Sequence, residues 1–274
     1  MKADLHMHST YSDGSLSVEE LWNEINKASL DVIALTDHDT LRGVKEMIEL
    51  SKKYGVRVIP GLELSTYSNG ESIHILGYFK SYESISKEFI EYLDGMEEKR
   101  YYRLKKMTEM ANERWGFNID FDRIRKEHPY MLERPHLADA IGEVTGLTRK
   151  EVFEKYIGND SPIYIPATKI SVEDGIKLIH DAGGIAVLAH PYCYKKNDHF
   201  ELIDKGVDGV EVFYGPYDKK NYPKYKEYAE SHNLIMTGGS DFHTFMDSKH
   251  SNIGTAVFIS PYVEMFLARI NSLK

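Results

Sequence analysis

The sequence predicts an α/β fold with a helical insert. Short apolar runs recur along the chain, each followed by a loop and an amphipathic stretch, which is the alternation expected of parallel β/α units. Two helix starts are indicated by Ser17 with Glu20 and by Ser171 with Asp174, because each capping hydroxyl is followed three residues later by a carboxylate. The predicted strands are 3–5, 32–35, 56–60, 73–77, 185–189, 209–213 and 234–237.

The third observation is a change of pattern in the middle of the chain. Residues 82–166 form a long, strongly charged stretch of helical character, typified by 97–113, without a convincing strand run. We therefore expect a barrel-type domain built from 1–81 and 167–274, with 82–166 as a helical insert covering the active site. The alternative is that these are ordinary helices of the main fold with one weak strand among them.

Composition excludes several classes of protein. Lys and Arg number 34 and Asp and Glu number 43, so the formal net charge of −9 provides no broad positive field to hold long nucleic acid nonspecifically. No apolar run is long enough to cross a bilayer, and Lys2 and Asp4 follow the first residue, so we expect neither membrane spanning nor secretion. The single cysteine, Cys193, cannot form an internal disulfide, which fits a cytoplasmic protein.

Histidine carries the strongest chemical signal, because several of the 12 copies directly follow a predicted strand. His6 and His8 are alternate residues leaving the first strand, so both imidazoles point the same way and can bind one cation. Asp13 follows in the loop. A His-x-His pair alone is also compatible with two surface or packed imidazoles, but the carboxyl ends of parallel strands converge on one face, which favours a site.

The second predicted strand ends in an unusually polar segment that begins at Thr36. Buried polar groups need a partner, and His38 can bind a metal while Asp37 or Asp39 orients imidazole rings. Asp39 can equally cap a helix beginning near Thr40. Glu63 leaves the third strand, and a glutamate there can bridge two metals.

Four more residues extend the pattern. His74 lies at the start of the fourth strand, where alone it would more often be a core histidine, and His190, Asp241 and His243 follow later strands. Six histidines and three acids exceed the needs of one zinc ion, so two or three ions are implied. Mixed imidazole and oxygen ligands suit Mn²⁺, Fe²⁺ or Zn²⁺. Clustered metals of this kind typically activate a bridging hydroxide for displacement at phosphorus, so phosphoester hydrolysis is the default hypothesis.

The predicted insert adds Arg134 and His136 on a rigid turn before a helix. Arginine suits a pair of phosphate oxygens. From the residues alone we prefer a surface salt bridge from Arg134 to Glu133 or Glu143, with His136 capping the helix. Five histidines lack a comparable setting and are interpreted as solvated or packing residues: His128, His180, His199, His232 and His250.

These motifs together resemble the PHP (polymerase and histidinol phosphatase) superfamily. Residues in the predicted insert and before His190 resemble the branch of nucleoside 3′,5′-bisphosphate phosphatases and short-RNA 5′-exonucleases; they are Arg134-Pro-His-Leu-Ala and Ala182-Gly-Gly-Ile-Ala-Val-Leu-Ala-His-Pro. The segments matching the superfamily, in its order, are Asp4-Leu-His-Met-His-Ser with Asp13-Gly14, Thr36-Asp-His-Asp, Gly61-Leu-Glu-Leu-Ser, His74-Ile-Leu-Gly-Tyr, Ala189-His-Pro and Gly238-Gly-Ser-Asp-Phe-His.

The resemblance implies a distorted seven-stranded β/α barrel with a helical insert over its mouth and a trinuclear metal site. Glu63 is expected to bridge ions, and Arg134 and His136 fall on the branch's phosphate-binding positions, in place of the surface roles preferred above. The implied metal ligands are His6, His8, Asp13, His38, Glu63, His74, His190, Asp241 and His243, among which Asp13, His38, Glu63 and His243 are the catalytic candidates.

The resulting hypothesis is a phosphatase that acts on a small nucleotide, removing the 3′-phosphate of a nucleoside 3′,5′-bisphosphate by attack of a metal-bridging hydroxide. One enzymatic alternative is a 5′-exonuclease on short RNA, because the negative charge disfavours long nucleic acid. A histidinol-phosphate phosphatase is a weaker one. A catalytically silent PHP scaffold is the alternative from another class, although it would be expected to lack some of the nine ligands.

Overall fold

The strands of the protein form two sheets. The computed structural model describes residues 1–215, 219–245, 250–256 and 258–274. The strands are β1 (Lys2–Asp4), β2 (Val32–Ile33), β3 (Arg57–Val58), β4 (Gly61–Ser68), β5 (Glu71–Tyr78), β6 (Ile185–Leu188), β7 (Gly209–Tyr214), β8 (Ile235–Gly239) and β9 (Phe258–Ile259). The four-stranded sheet has the order β3-β2-β1-β9, and the five-stranded sheet has the order β4-β5-β6-β7-β8.

The strand directions correct the prediction of a parallel arrangement. β1 pairs in parallel with β2, β2 with β3, β6 with β7 and β7 with β8, as expected. β5, however, is antiparallel to both β4 and β6, and β9 is antiparallel to β1. The strand predicted at 56–60 also ends earlier than expected, since β3 ends at Val58 and a separate strand, β4, begins at Gly61. The sheets are therefore mixed.

A tight hairpin joins β4 to β5. Asn69 and Gly70 form the connection, with φ angles of 46° and 79°, and positive φ at both central residues is the requirement of the turn that best matches strand twist. The pairing places Ser65 opposite His74. This turn explains why β5 reverses direction instead of crossing over through a helix.

Main-chain hydrogen bonds also link the two sheets. Leu5 N–H donates to Gly238 O at 3.0 Å, which ties the chain leaving β1 to β8. Asp39 N–H donates to Glu63 O at 2.9 Å and Glu63 N–H to Asp37 O at 3.2 Å, which ties the chain leaving β2 to β4. The α/β class is confirmed, whereas the count of seven barrel strands stays a prediction.

The described residues also form ten α-helices. The α-helices are α1 (Val18–Ala28), α2 (Val44–Tyr54), α3 (Lys87–Trp115), α4 (Phe121–Glu127), α5 (Arg134–Thr145), α6 (Arg149–Val152), α7 (Val172–Asp181), α8 (His199–Ile203), α9 (Tyr222–Ser231) and α10 (Tyr262–Asn271). The predicted helix starts are confirmed, because Ser17 caps α1 through Glu20 N–H and Ser171 caps α7 through Asp174 N–H. Among the described helices, none combines the length and apolar character needed to span a membrane.

The chain divides into two compact units. The first comprises Met1–Tyr92 and Lys169–Lys274, and the second comprises Leu93–Thr168. The second unit has its own apolar core, to which α3 contributes Leu104 and α5 contributes Leu137. Every residue of that unit is described, and no strand lies in it. The predicted boundaries at 82 and 166 stay predictions.

Two apolar clusters organise the first unit. In one, Leu5 from the chain that continues β1 packs with Phe266 and Ile270 of α10. In the other, Met7 packs with Leu21 and Trp22 of α1. Complete burial of such side chains contributes about 1.5–3 kcal/mol each, so this core holds the start of the chain firmly in the sheet.

Asp208 ties α7 to the sheet, and its contribution to stability should depend on pH. Its Oδ2 accepts from Ala186 N–H at 2.9 Å and lies 2.7 Å from His180 Nε2, while Oδ1 accepts from Arg269. The hydrogen bond to Asp208 raises the pKa of His180. Burial opposes ionisation of Asp208, but its partners, led by His180, hold its pKa below the usual range.

We expect the substitution Asp208→Asn to destabilise the protein most between about pH 4 and pH 6.5. The raised pKa of His180 stabilises the fold fully below its unfolded value of about 6.5 and progressively less above it. Because its pKa is lowered, ionised Asp208 stabilises the fold above about pH 3.9, and this stabilisation is lost in acid. Because the pair is partly exposed, the loss should be about 1 kcal/mol or less. Urea unfolding at pH 5.5 and pH 9 measures it, and an equal loss at both values would contradict the assignment, with exposed Asp204→Asn as the control.

Candidate metal centre

His6 and His8 project from the chain that continues β1. Leu5 and Met7 alternate with them and point into the apolar clusters, so the alternation of an extended segment turns both imidazoles to the opposite side. His6 and His8 are both completely buried. Two imidazoles removed from water on one side of a strand need polar or ionic partners there.

The other predicted ligands reach the same region from several segments of the first unit. The expected position of Glu63 is wrong in detail, because it lies inside β4 and does not leave the strand before it. His74 lies near the start of β5, and the reversed direction of this strand puts its start beside the ends of the parallel strands. Asp13 lies in the loop before α1, His38 follows β2, His190 follows β6, and Asp241 and His243 follow β8.

The carboxylate of Glu63 lies at the centre of the cluster. Its Oε1 is 3.0 Å from His74 Nδ1 and 2.9 Å from His190 Nε2. Glu63 is 1% exposed, so this carboxylate makes these contacts away from solvent. One oxygen is thus shared by two imidazoles from neighbouring strands of the five-stranded sheet.

The second oxygen of Glu63 faces a different set of imidazoles. Oε2 lies 3.1 Å from His38 Nδ1, 3.2 Å from His8 Nε2 and 3.3 Å from His6 Nε2. Asp241 Oδ1 lies 3.1 Å from both His6 Nε2 and His8 Nε2. Two carboxylates and two imidazoles therefore converge in a geometry that a single cation can bind.

A second group forms around Asp13, which is the most accessible of the predicted ligands. Its side chain is 41% exposed, and its oxygens lie 3.3 Å from His243 Nε2, 3.8 Å from His8 Nδ1 and 3.9 Å from His38 Nε2. The four ligand atoms of this group lie within 4.8 Å of one another. His8 contributes one ring nitrogen to each group, so the two groups are adjacent.

The unsatisfied atoms of the cluster indicate that it suits metal ions. Within the described part of the chain, His6 Nε2, His38 Nδ1 and Glu63 Oε2 are buried without a hydrogen-bond partner. A buried polar atom without a partner costs about 1–3 kcal/mol, and these three face one another. A divalent cation satisfies imidazole nitrogen and carboxylate oxygen together, and this donor set is the one used by Mn²⁺, Fe²⁺ and Zn²⁺.

Burial and the charges of neighbouring side chains shift the pKa values of several residues in the cluster. Burial opposes ionisation of Glu63, but the imidazoles around it, led by His38, hold the pKa of its carboxyl well below the usual range. Burial opposes protonation of His8, but hydrogen bonds to Asp241 and Glu63 raise its pKa to about 10. Burial lowers the pKa of His38 to about 4. The carboxylates are thus ionised and ready to bind cations, which would displace the proton from His8.

Asp37 stabilises a loop and Asp39 binds the main chain of a strand, whereas the sequence predicted that one of them orients imidazole rings. Asp37 accepts hydrogen bonds from Ser9 N–H at 2.7 Å and from Ser12 Oγ–H at 2.6 Å, and so holds the loop that leads to Asp13. Asp39 Oδ1 accepts from Ser65 N–H at 2.6 Å. The alternative in which Asp39 caps a helix near residue 40 is wrong, since α2 begins at Val44.

Sequence reasoning missed two buried side chains of β7 that contact the predicted ligands. Glu211 Oε1 lies 3.0 Å from His6 Nδ1, and Tyr214 O–H donates to Asp241 Oδ2 at 3.0 Å. The only signal in the sequence is a charged residue inside the apolar run 209–213.

His250 corrects the interpretation of the remaining histidines. Its ring stacks on that of His243 with centroids 4.2 Å apart, and its Nε2 lies 3.6 Å from Asp241 Oδ2. It therefore lies beside the cluster and is not merely a solvated or packing residue. Within the described residues His250 does not directly follow a strand, which explains why the strand-end pattern did not find it.

Arg134 and His136 belong to the second unit. Arg134 donates to Asn159 Oδ1 at 3.0 Å and to Ile157 O at 3.3 Å, instead of pairing with Glu133 as the surface interpretation expected. His136 Nδ1 accepts from Glu133 N–H at 3.1 Å, so His136 does cap α5.

Two further arginines lie beside this turn. Glu133 pairs with Arg100 at 3.2 Å and with Arg103 at 3.9 Å. Burial lowers the pKa of Arg103, with Glu133 opposing and the Arg134 charge adding to the effect. Arg100 and Arg103 share one carboxylate, and the Arg134 charge acts on Arg103, so positive charge is in excess here, which suits a phosphate.

Comparison with known proteins identifies the family. The PHP domain family matches residues 4–149 of the chain. The chain belongs to the PHP family. This PHP chain is 30% identical over 251 residues to a 5′-3′ exoribonuclease from Haemophilus influenzae, covering 88% of the chain and 90% of the relative.

Two further comparisons support the PHP assignment. The chain is 30% identical to a 3′,5′-nucleoside bisphosphate phosphatase from Chromobacterium violaceum, with 88% of the chain and 86% of the relative covered. The structure matches that of a protein described as a metal-dependent phosphoesterase from Bifidobacterium adolescentis with a TM-score of 0.77 and 27% identity, over 97% of this chain and 96% of the other. The predicted enzyme class, a metal-dependent phosphoric ester hydrolase of the PHP family, is confirmed.

Proposed function

We propose that the protein hydrolyses a phosphate monoester of a small nucleotide, specifically the 3′-phosphate of nucleoside 3′,5′-bisphosphates. The observation that carries this proposal is the convergence of imidazoles and carboxylates on Glu63, whose two oxygens face different groups of ligands. The nucleotide substrate is supported by the similarity to the Chromobacterium violaceum bisphosphate phosphatase. We also propose that the strands close into a seven-stranded barrel.

Two or three Mn²⁺, Zn²⁺ or Fe²⁺ ions fit the donor set. Such ions, when bound, lower the pKa of water and neutralise the charge that develops on a phosphoryl group. His6, His8 and Asp241 would hold one ion, and Glu63 would offer one oxygen to each of the groups of ligands that it faces.

The substrate would reach the centre at the group of ligands around Asp13, which is the more exposed of the two groups. Asp13, His38 and His243 would hold a second ion, and Asp13 is the most exposed of these side chains. The nearby His74 and His190 complete the surroundings of Glu63 Oε1.

Arg134 and His136 are proposed to bind a substrate phosphate. Arg134 is held in place by its two hydrogen bonds and by the rings of Phe153 and Tyr164, whose centroids lie 5.4 and 5.0 Å from its guanidinium carbon. A fixed guanidinium loses little entropy on binding a phosphate. The negative net charge disfavours binding of long nucleic acid, so the proposed substrates do not include it.

The second candidate is 5′-exonucleolytic cleavage of short RNA. It is favoured by the similarity to the Haemophilus influenzae exoribonuclease. The same arrangement can act on a phosphodiester, because the role proposed for the metal ligands does not depend on which group leaves the phosphorus atom. The two activities can occur in one protein.

A substrate panel tests the proposal. Phosphate release is measured with Mn²⁺ from adenosine 3′,5′-bisphosphate, adenosine monophosphates and histidinol phosphate, beside cleavage of a short 5′-phosphorylated RNA. We expect the bisphosphate to give the highest kcat/KM and 5′-AMP as product, and Asp13→Ala to lose this activity. Faster turnover of histidinol phosphate, or equal turnover by the Asp13→Ala variant, would refute the proposal, and faster cleavage of RNA would favour the second candidate.

We expect Arg134→Ala to raise the KM for the bisphosphate about 10- to 100-fold with a smaller effect on kcat. The reason is that a hydrogen bond to a charged group contributes about 1.5–3 kcal/mol to binding. Steady-state kinetics measure the change, and Arg149→Ala is the matched control, since Arg149 lies in the same unit and pairs with exposed Asp139. An unchanged KM in the Arg134 variant would remove this residue from the phosphate site.

A further inference from the structure

Glu211 is a buried carboxylate that the proposed reaction does not use. It lies in β7 and is 1% exposed. Its Oε1 and Oε2 lie 3.0 and 3.2 Å from His6 Nδ1, and its Oε2 also accepts from the main-chain N–H of His190 at 2.8 Å. A buried carboxylate is costly unless it is fully paired, so these contacts account for its position.

The contact with His6 determines which ring nitrogen carries a proton. A carboxylate can only accept, and therefore His6 Nδ1 donates and Nε2 is left without a proton when the ring is neutral. That Nε2 atom is buried with no hydrogen-bond partner in the part of the chain that the structure describes, and it lies 3.1 Å from Asp241 Oδ1 and 3.3 Å from Glu63 Oε2. Glu211 thus turns the free nitrogen of His6 toward the other ligands.

The contact with His190 holds a strained main chain. His190 has φ 25° and ψ 59°, a region that residues other than glycine adopt only when their surroundings require it. The hydrogen bond from its N–H to Glu211 supplies such a requirement, and its Nε2 then lies 2.9 Å from Glu63 Oε1. One carboxylate therefore contacts two predicted ligands that follow different strands.

We propose that Glu211 is a positioning residue of the metal centre. It holds His6 with Nδ1 protonated and Nε2 free for a cation, and it fixes the main chain that presents His190. This inference rests on the metal centre of the proposed function and assigns a residue beyond its nine ligands.

The substitution Glu211→Gln separates this role from packing, because glutamine has nearly the same shape. Its single amide oxygen can take the place of Oε1 or of Oε2, and an NH₂ group then takes the other place. If the NH₂ group takes the place of Oε1, it lies against His6 Nδ1 at the shorter of the two contacts and favours the ring form with the proton on Nε2, where it blocks a cation. If it faces His190, two N–H groups oppose each other and the main chain loses its partner.

Asp208→Asn is the matched control. Asp208 immediately precedes β7 and, like Glu211, accepts a main-chain N–H from the neighbouring segment and contacts an imidazole, here Ala186 N–H and His180 Nε2. His180 is not among the predicted ligands. The two variants therefore make the same chemical change beside a ligand and away from one.

Titration with Co²⁺, followed by visible absorption, measures cation binding directly, and thermal unfolding in chelator compares the cation-free folds. We expect Glu211→Gln to bind Co²⁺ about 10- to 100-fold more weakly, with a changed spectrum, as for other residues that orient metal ligands. Asp208→Asn should keep the wild-type affinity and spectrum. Wild-type affinity in Glu211→Gln, or an equal loss in both variants, would overturn the proposal alone. A wild-type protein that takes up no Co²⁺ would overturn the metal centre as well.

Discussion

The substitution Glu63→Gln is expected to lower phosphoester turnover at least about 10²-fold. The carboxylate faces five imidazoles through its two oxygens, and an amide would present an NH₂ group to one of these sets and remove a negative charge from between the cations. Metal ions stabilise the transition-state charge by several kcal/mol, and each 1.36 kcal/mol corresponds to a tenfold change in rate. Initial rates at saturating Mn²⁺ and substrate measure the loss.

Glu264→Gln is the control for this substitution. Glu264 lies in α10, is exposed and accepts from Ser260 Oγ–H. The control should keep wild-type turnover, and both variants should retain the wild-type circular dichroism spectrum. A Glu63→Gln protein that keeps wild-type turnover would end the proposal that Glu63 bridges catalytic ions.

Removing divalent cations with a chelator is expected to abolish activity and to lower the unfolding temperature. Among the described residues, the buried atoms His6 Nε2, His38 Nδ1 and Glu63 Oε2 find no hydrogen-bond partner, and a bound ion would supply one. A ligand present at 100 times its Kd stabilises a protein by about 2.7 kcal/mol, which corresponds to a shift of about 5–10 °C for a domain of this size. Scanning calorimetry with chelator and after re-addition of Mn²⁺ measures the shift.

The same shift should grow as the pH rises from 6 to 9. In the cation-free protein the pKa of His8 is raised to about 10, so its contribution to stability is fully present below about pH 6.5 and is lost as the pH rises toward 10. A cation must displace this proton, and its apparent affinity therefore increases with pH. An unfolding temperature that does not respond to Mn²⁺, or responds equally at pH 6 and pH 9, would contradict this account.

The sequence predicted the metal centre better than the strand directions. Residues such as His6, His38 and His190 stand directly after apolar runs, and polar groups at such positions must be explained by a site. The structure brings the nine predicted ligands together in the first unit, although their roles as ligands stay a prediction. Strand direction is not encoded in a short apolar run, so the antiparallel placement of β5 could not be read from it.

The missed residues escaped the strand-end pattern for different reasons. Glu211 lies inside β7 and His250 directly follows no described strand, whereas Tyr214 ends β7 but is neither a histidine nor a carboxylate. Their contacts with His6, Asp241 and His243 arise only from tertiary packing. The separate strand β4 was missed because it begins directly after the predicted run 56–60 and the charged Glu63 interrupts its apolar pattern.

The length of the Asn69-Gly70 turn is as strict a requirement as any ligand. Ser65 lies opposite His74, and the face of β4 that carries Ser65 also carries Glu63, which brings His74 Nδ1 within 3.0 Å of the Glu63 carboxylate. Side chains alternate between the two faces of a strand, so one inserted residue that slipped the pairing would rotate His74 to the far face. Evolution can lengthen surface loops of this protein at little cost, but an added residue here would dismantle the centre while leaving every ligand in the gene.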